Sequence, residues 1–171
     1  DLTDKQWEVL APLLPKERVR KDKRGRPWRD PRDVLNGILW VLRTGAPWDD
    51  LPDRYPSKST CHRRFQSWLK SGTMTKLRAA LLNDLDKRGN IDWAESFVDG
   101  SFASAKKGVR FGKTKRGKGT KWMAIVDGNG LPLGITVHSA SPAECTLVEE
   151  TLREIPSRFR PPRLIGDKAY D

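Results

Sequence analysis

The pattern of apolar and polar positions changes character once along the chain. Through residue 90 it has the period of helices. Thr3-Asp-Lys-Gln6 forms a capping box, Leu2 can staple onto Trp7, and Trp7, Leu10 and Leu14 share a face before Pro15. Asp30-Pro31 opens a second helix, Asp as N-cap and Pro at the first position, expected to bury Val34, Leu35, Ile38, Leu39, Val41 and Leu42 and to end at Gly45. Trp48 to Pro52 has room for one helical turn. A third helix, Ser59 to Lys70, sets Cys61, Phe65, Trp68 and Leu69 on one apolar face. A fourth runs from Thr73 to Arg88 with Leu77, Leu81, Leu82 and Leu85 inward, and Gly89 stops it.

From residue 91 onward the pattern reads as strands. Ser96 to Phe102 is the first and passes through Asp99. Lys121 to Val126 is the second, Asp127-Gly-Asn-Gly130 a hairpin turn, and Leu131 to His138 the third. Ser141-Pro-Ala-Glu144 reads as a capping box for a helix burying Ala143, Leu147, Val148, Thr151, Leu152 and Ile155, with Glu149 and Arg153 paired on its wet face. After an extended connector, Arg163 to Gly166 is a last strand ending at Asp167. Strand, strand, strand, helix, strand suits an antiparallel meander whose helix returns the fourth strand parallel to the first. The expected class is α+β: a helical, helix-turn-helix-like domain over residues 1–90, then a mixed β-sheet domain over 91–171.

Charge adds a partner. Lys and Arg number 33 against 22 Asp and Glu, a formal +11 with a pI near 10.0. Residues 1–90 hold 20 basic and 12 acidic side chains, and residues 91–171 hold 13 and 10. Such a balance favours a polyanion, nucleic acid before an anionic membrane surface. Two cysteines and two histidines, widely scattered, offer neither a disulfide framework nor a zinc site. No apolar run is long enough to span a membrane and no signal peptide opens the chain, which fits a cytoplasmic, nucleoid-associated protein.

Three basic segments can meet that polyanion. On the third helix Ser59, Thr60, His62, Arg63 and Arg64 stand where a recognition helix presents small polar and cationic groups to base edges and phosphates. Residues 15–29 form a basic loop. Residues 105–119, with four glycines and seven cations, read as a flexible clamp carrying Lys113, Lys115, Arg116 and Lys118. A solvated charged surface explains the first two patterns as well, and a disordered linker the third.

The chemistry rests on two carboxylates. If the fourth strand pairs beside the first, Asp99 and Asp167 meet at one sheet edge. Carboxylates held that close repel unless a cation bridges them, and oxygen ligands beside basic surroundings suit Mg²⁺ or Mn²⁺. Two strand-end aspartates that merely cap turns explain the same spacing. Asp127 is first a turn residue, and the capping box accounts for Glu144.

Leu2-Thr-Asp-Lys-Gln-Trp7, Leu42-Arg-Thr-Gly-Ala-Pro-Trp-Asp-Asp-Leu-Pro52, Arg63-Arg-Phe-Gln-Ser-Trp68, Val98-Asp-Gly-Ser101, Val126-Asp-Gly-Asn-Gly-Leu-Pro-Leu133 and Gly166-Asp-Lys-Ala-Tyr-Asp171 succeed one another in order. Together they resemble the transposases of the bacterial IS5 insertion-sequence family. The resemblance implies a ribonuclease-H-like catalytic core of the DDE type, with Asp99 as first and Asp167 as second catalytic and metal-binding aspartate. It also implies Mg²⁺ or Mn²⁺, double-stranded DNA (terminal inverted repeats and target) as partner, and a homo-oligomer in a synaptic complex.

The family's third acid, a Glu on a later helix, has no counterpart here. The chain opens on Asp1 and stops at Asp171, and both ends read as cut. Metal-dependent cleavage and strand transfer at element ends is therefore expected of the parent enzyme and not of these residues alone. The alternative is a truncated transposase that binds ends and represses. A phosphohydrolase of the haloacid-dehalogenase type, suggested by Gly166-Asp-x-x-x-Asp171, fits less well: Ser101 stands where its second acid belongs.

Overall fold

The computed structural model describes residues 1–16, 27–104, 110, 112–114, 117–156 and 160–170. It divides into two compact units, Asp1–Asn83 and Asp84–Asp171.

The first unit is helical. α1 spans Asp4–Leu10, and its capping box is formed: the Gln6 amide donates to Thr3 Oγ1 at 3.3 Å and the Thr3 amide to Gln6 Oε1 at 2.9 Å. α2 spans Pro31–Thr44. Asp30 accepts the amides of Arg32 and Asp33, Pro31 occupies the first turn, and Gly45 closes the helix in the left-handed region at φ 67°. α1 is tied to α2 through Arg32, which donates to the Leu2 carbonyl and pairs with Asp4, and through Asn36, which accepts the Leu2 amide. After a 3₁₀ turn at Trp48–Asp50 come α3, Lys58–Lys70, and α4, Thr73–Lys87.

Leu10, Val34, Leu35, Ile38, Cys61, Trp68 and Leu77 form the buried core of this unit. Three leucines expected inside, Leu42, Leu69 and Leu81, are exposed. Each sits at the edge of its helix's apolar stripe, and a helix packed on one side buries only part of that stripe.

The second unit is a five-stranded mixed sheet with one short helix. β1 is Ser96–Ser104, β2 Gly112–Thr114, β3 Gly117–Asp127, β4 Pro132–Ser139 and β5 Leu164–Ile165. β3 is the hub, antiparallel to β1, β2 and β4, while β5 joins the outer side of β1 in parallel. The meander and its parallel return are as the sequence predicts. The expected loop over 105–119 is not: within its described residues it supplies β2 and the first turns of the β3 ladder, Ser104 pairing with Gly119.

α5, Val148–Arg153, covers one face of the sheet. Val98, Met123, Ile125 and Leu133 are buried, as is Thr151, whose hydroxyl meets that of Thr136 at 2.7 Å. The contact is close because β4 offers Gly134 there: a Cβ at that position would lie 2.7 Å from the Thr151 carbonyl oxygen. On the opposite face Phe97, Trp122, Ile135 and Val137 are each about 40% exposed, and strand alternation puts Asp99 on this same face. No helix among the described residues is long and apolar enough to cross a membrane.

Candidate active site

Asp99 lies within β1 and Asp167 comes just after β5, both exposed. The parallel register pairs Ser96 with Leu164 and Phe97 with Ile165. Two residues further along each strand direction come Asp99 and Asp167, so the crossover through α5 delivers both acids to the same level of the β1–β5 pair. One oxygen of Asp99 accepts the amide of Gly100 at 2.8 Å.

A third acid approaches the β1 backbone from the α5-covered face, where a Cβ on Gly100 would lie 2.6 Å from the Glu144 carboxyl carbon. Glu144 forms no capping box: the 3₁₀ turn Glu144–Leu147 has Ala143 at its N-cap with no side-chain hydrogen bond. Its carboxylate instead lies 3.2 Å from the Lys121 ammonium and accepts the Tyr170 hydroxyl at 3.2 Å. A full charge and a phenol outcompete a neutral amide for that carboxylate. Lys121, only 13% exposed, also donates to the Pro142 carbonyl at 2.9 Å. Burial pushes the Tyr170 phenol above its ordinary range, and the negative charges of Glu144, Asp99 and Asp167 push it the same way. Tyr170 thus stands in the field of acids from three segments of the chain.

Asp127 is removed from this cluster. It is fully buried and accepts the amides of Asp92, Asn129 and Leu131 at 2.9, 3.0 and 2.7 Å, a structural clasp on the hairpin.

Two exposed carboxylates of hard oxygen character suit Mg²⁺ or Mn²⁺, which are held by one or two carboxylates with substrate phosphates completing the shell. No group of three or more His, Cys, Asp and Glu side chains is arranged to hold a metal ion among the described residues. A full shell on Asp99 and Asp167 therefore needs oxygens from outside this pair.

The basic candidates fall in two places. On α3, Ser59, His62 and Arg63 are exposed and Thr60 half-buried, but His62 packs edge-on against Trp48 at 5.2 Å. The Arg64 guanidinium lies over the Trp28 ring at 4.3 Å and near Trp68 at 5.8 Å. Thr60, Arg63 and Arg64, with Trp28, Arg29 and Ser57, line a cavity of about 510 Å³ beside the helix. In the second unit Lys113 and Lys118 are exposed and directly opposite each other on β2 and β3. Like charges in that register repel, so a polyanion laid across them would be stabilising. Lys115, Arg116 and residues 17–26 of the first basic loop lie outside the described residues.

Trp28, Lys121, Glu144 and Tyr170 were not among the site candidates. Lys121 had a readable signal: alternation with Met123 and Ile125 turns it toward the α5-covered face, where a lysine requires an acid.

A helical unit succeeded by a mixed sheet, with an acid on its first strand and another after its parallel return, is the arrangement that the resemblance to DDE transposases implies. Comparison with known proteins agrees. A family model for transposases of the IS4/5 family matches residues 2–78, and the transposase DDE domain model matches residues 94–171. The chain is 38% identical over 105 residues to the insertion element IS402 uncharacterized 16.2 kDa protein of Burkholderia cepacia, covering 58% of this chain and 70% of that one. It is 33% identical over 92 residues to the uncharacterized protein y4sN of Sinorhizobium fredii, covering 54% and 68%. The chain belongs to the IS4/5 family of insertion-sequence transposases.

Proposed function

We propose that this chain binds the terminal inverted repeats of an insertion sequence through residues 1–90 and brings Asp99 and Asp167 to the phosphodiester to be cut. The observation that supports this most is the parallel register of β1 and β5, which ends two residues short of both aspartates. Asp99 and Asp167 would hold Mg²⁺ or Mn²⁺, which when bound activates an attacking water or 3′-hydroxyl and stabilises the leaving oxygen. Lys113 and Lys118, and Arg63 on α3, neutralise backbone phosphates and set the register of the duplex. Pairing of two element ends calls for a homo-oligomer, and duplex DNA as substrate calls for a cytoplasmic, nucleoid-associated protein.

With two carboxylates in place of the three that strand transfer uses in this family, these 171 residues bind ends without joining them. The exposed Arg63 on α3 and the facing Lys113 and Lys118, which need no metal to meet DNA, suit a second reading as well, a DNA-binding repressor without catalysis. Gel shifts on inverted-repeat and unrelated duplexes, with a Mg²⁺-dependent 3′-end-joining assay, test both. Preferential binding of the repeats without joining is expected. Joining by the chain alone would overturn the two-acid reading, and equal binding to all duplexes would overturn end recognition. Restored cleavage on adding a polypeptide that carries a third acid separates a transposase from a repressor.

A further inference from the structure

We propose that Glu144 and Tyr170 form a latch that positions Asp167 against Asp99, making both of them positioning residues of the acidic site. The inference rests on the reading of Asp99 and Asp167 as a metal-binding pair.

β5 is only two residues long and pairs with β1 at two positions. So short a ladder, ending before Asp167, does little to fix the residues beyond it. Past Asp167 the chain makes a single 3₁₀ turn, Lys168–Tyr170, closed by the Tyr170 amide on the Asp167 carbonyl at 3.1 Å. Two further contacts hold that turn. The Tyr170 ring lies over Gly166, where a Cβ would come within 2.9 Å of it, so ring and backbone are in direct contact. The Tyr170 hydroxyl then reaches Glu144.

Glu144 is itself anchored on the strand that carries Asp99. A Cβ on Gly100 would lie 2.6 Å from the Glu144 carboxyl carbon, so the carboxylate rests on the β1 backbone one residue past Asp99. Lys121, on the neighbouring strand β3, offsets its charge. The path from Asp99 to Asp167 is continuous: Gly100 backbone, Glu144 carboxylate, Tyr170 hydroxyl and ring, Gly166 backbone. Partners of this kind, behind the ligands of a metal site, typically change metal affinity by about 10- to 100-fold when removed.

The test uses the full chain and Mn²⁺, with bound ion counted by electron paramagnetic resonance, together with amide exchange of the metal-free protein. Tyr170→Phe keeps the ring and removes only the hydroxyl, and Glu144→Gln keeps an acceptor for it. For Glu144→Ala and Tyr170→Phe a Kd for Mn²⁺ weakened about 10-fold is expected, with faster exchange of the amides of residues 167–170. Glu144→Gln is expected to stay within about 3-fold of the parent in affinity, the acceptor being conserved. Unchanged affinity and unchanged exchange in Glu144→Ala and Tyr170→Phe would overturn the latch. Equal loss of Mn²⁺ in Glu144→Gln and Glu144→Ala, with exchange unaltered, would also overturn it and make Glu144 a direct ligand. If Asp99→Asn and Asp167→Asn bind Mn²⁺ as the parent does, the metal reading fails, while the exchange data still judge the latch.

Discussion

The carboxylate of Asp127 accepts the backbone amide of Asp92 at 2.9 Å, across 35 residues of chain, and thereby fastens the segment before β1 to the hairpin between β3 and β4. Two more amides, of Asn129 and Leu131, complete its shell. Asp127→Ala takes the acceptor from three partly buried donors and is expected to destabilise the second unit by about 2 kcal/mol, read from urea denaturation. A loss under about 0.5 kcal/mol would deny Asp127 that role.

Gly134→Ala is a packing test. The new methyl meets the backbone carbonyl of Thr151, which belongs to a helix and cannot rotate aside. α5 must shift off β4, with an expected cost of about 1–3 kcal/mol. Thermal unfolding at equal protein concentration measures it.

The two cysteines should differ sharply in reactivity. Cys145 is exposed and Cys61 is buried, its thiol pushed up to about 11 by burial and its sulfur within reach of the Pro56 carbonyl. Native protein should react with one equivalent of a thiol reagent at pH 8, the second reacting only on unfolding. The pH dependence has a definite sign. The unfolded Cys61 thiol ionises near 9.0 and the folded one near 11, so its contribution to stability is complete below pH 9 and falls away as pH rises to 11. Cys61→Ala should flatten the fall in stability over that interval.

DNA binding should show Arg63 as a phosphate contact. Arg63→Ala is expected to weaken binding uniformly across sequences and to lower the salt slope by about 1. Arg153→Ala, whose guanidinium is already paired with Glu149 at 2.6 Å, should leave both unchanged. Fluorescence anisotropy at several salt concentrations decides.

Local signals in the sequence carried far. The Thr3–Gln6 box, the Asp30-Pro31 start and the Gly45 stop depend on residues three or four apart, and each is formed in the fold. The strand order was legible for the same reason, since alternation and the Asp127–Gly130 turn are local. What escaped was decided at long range. Glu144 carries a capping-box pattern, but Lys121 and Tyr170, distant in sequence, outbid the local amide. The glycine- and lysine-rich stretch over 105–119 has little to bury, yet among its described residues Gly112–Thr114 form β2 and Gly119 ends the β1–β3 ladder. Gly119 there leaves room for the Phe102 ring, which a Cβ would meet at 2.5 Å. Trp28, in a connecting segment, is met by the guanidinium of Arg64 on α3, a contact between residues distant in sequence.

The pairing of Asp99 with Asp167 at one metal site can be read directly by loading the chain with Fe²⁺ in place of Mg²⁺ and generating hydroxyl radicals with ascorbate and peroxide. Backbone cuts mapped by mass spectrometry are expected around both Asp99 and Asp167, suppressed by excess Mg²⁺ and by Asp99→Asn. Cuts confined to one of the two segments, or a pattern indifferent to Asp99→Asn and to Mg²⁺, would contradict a shared site.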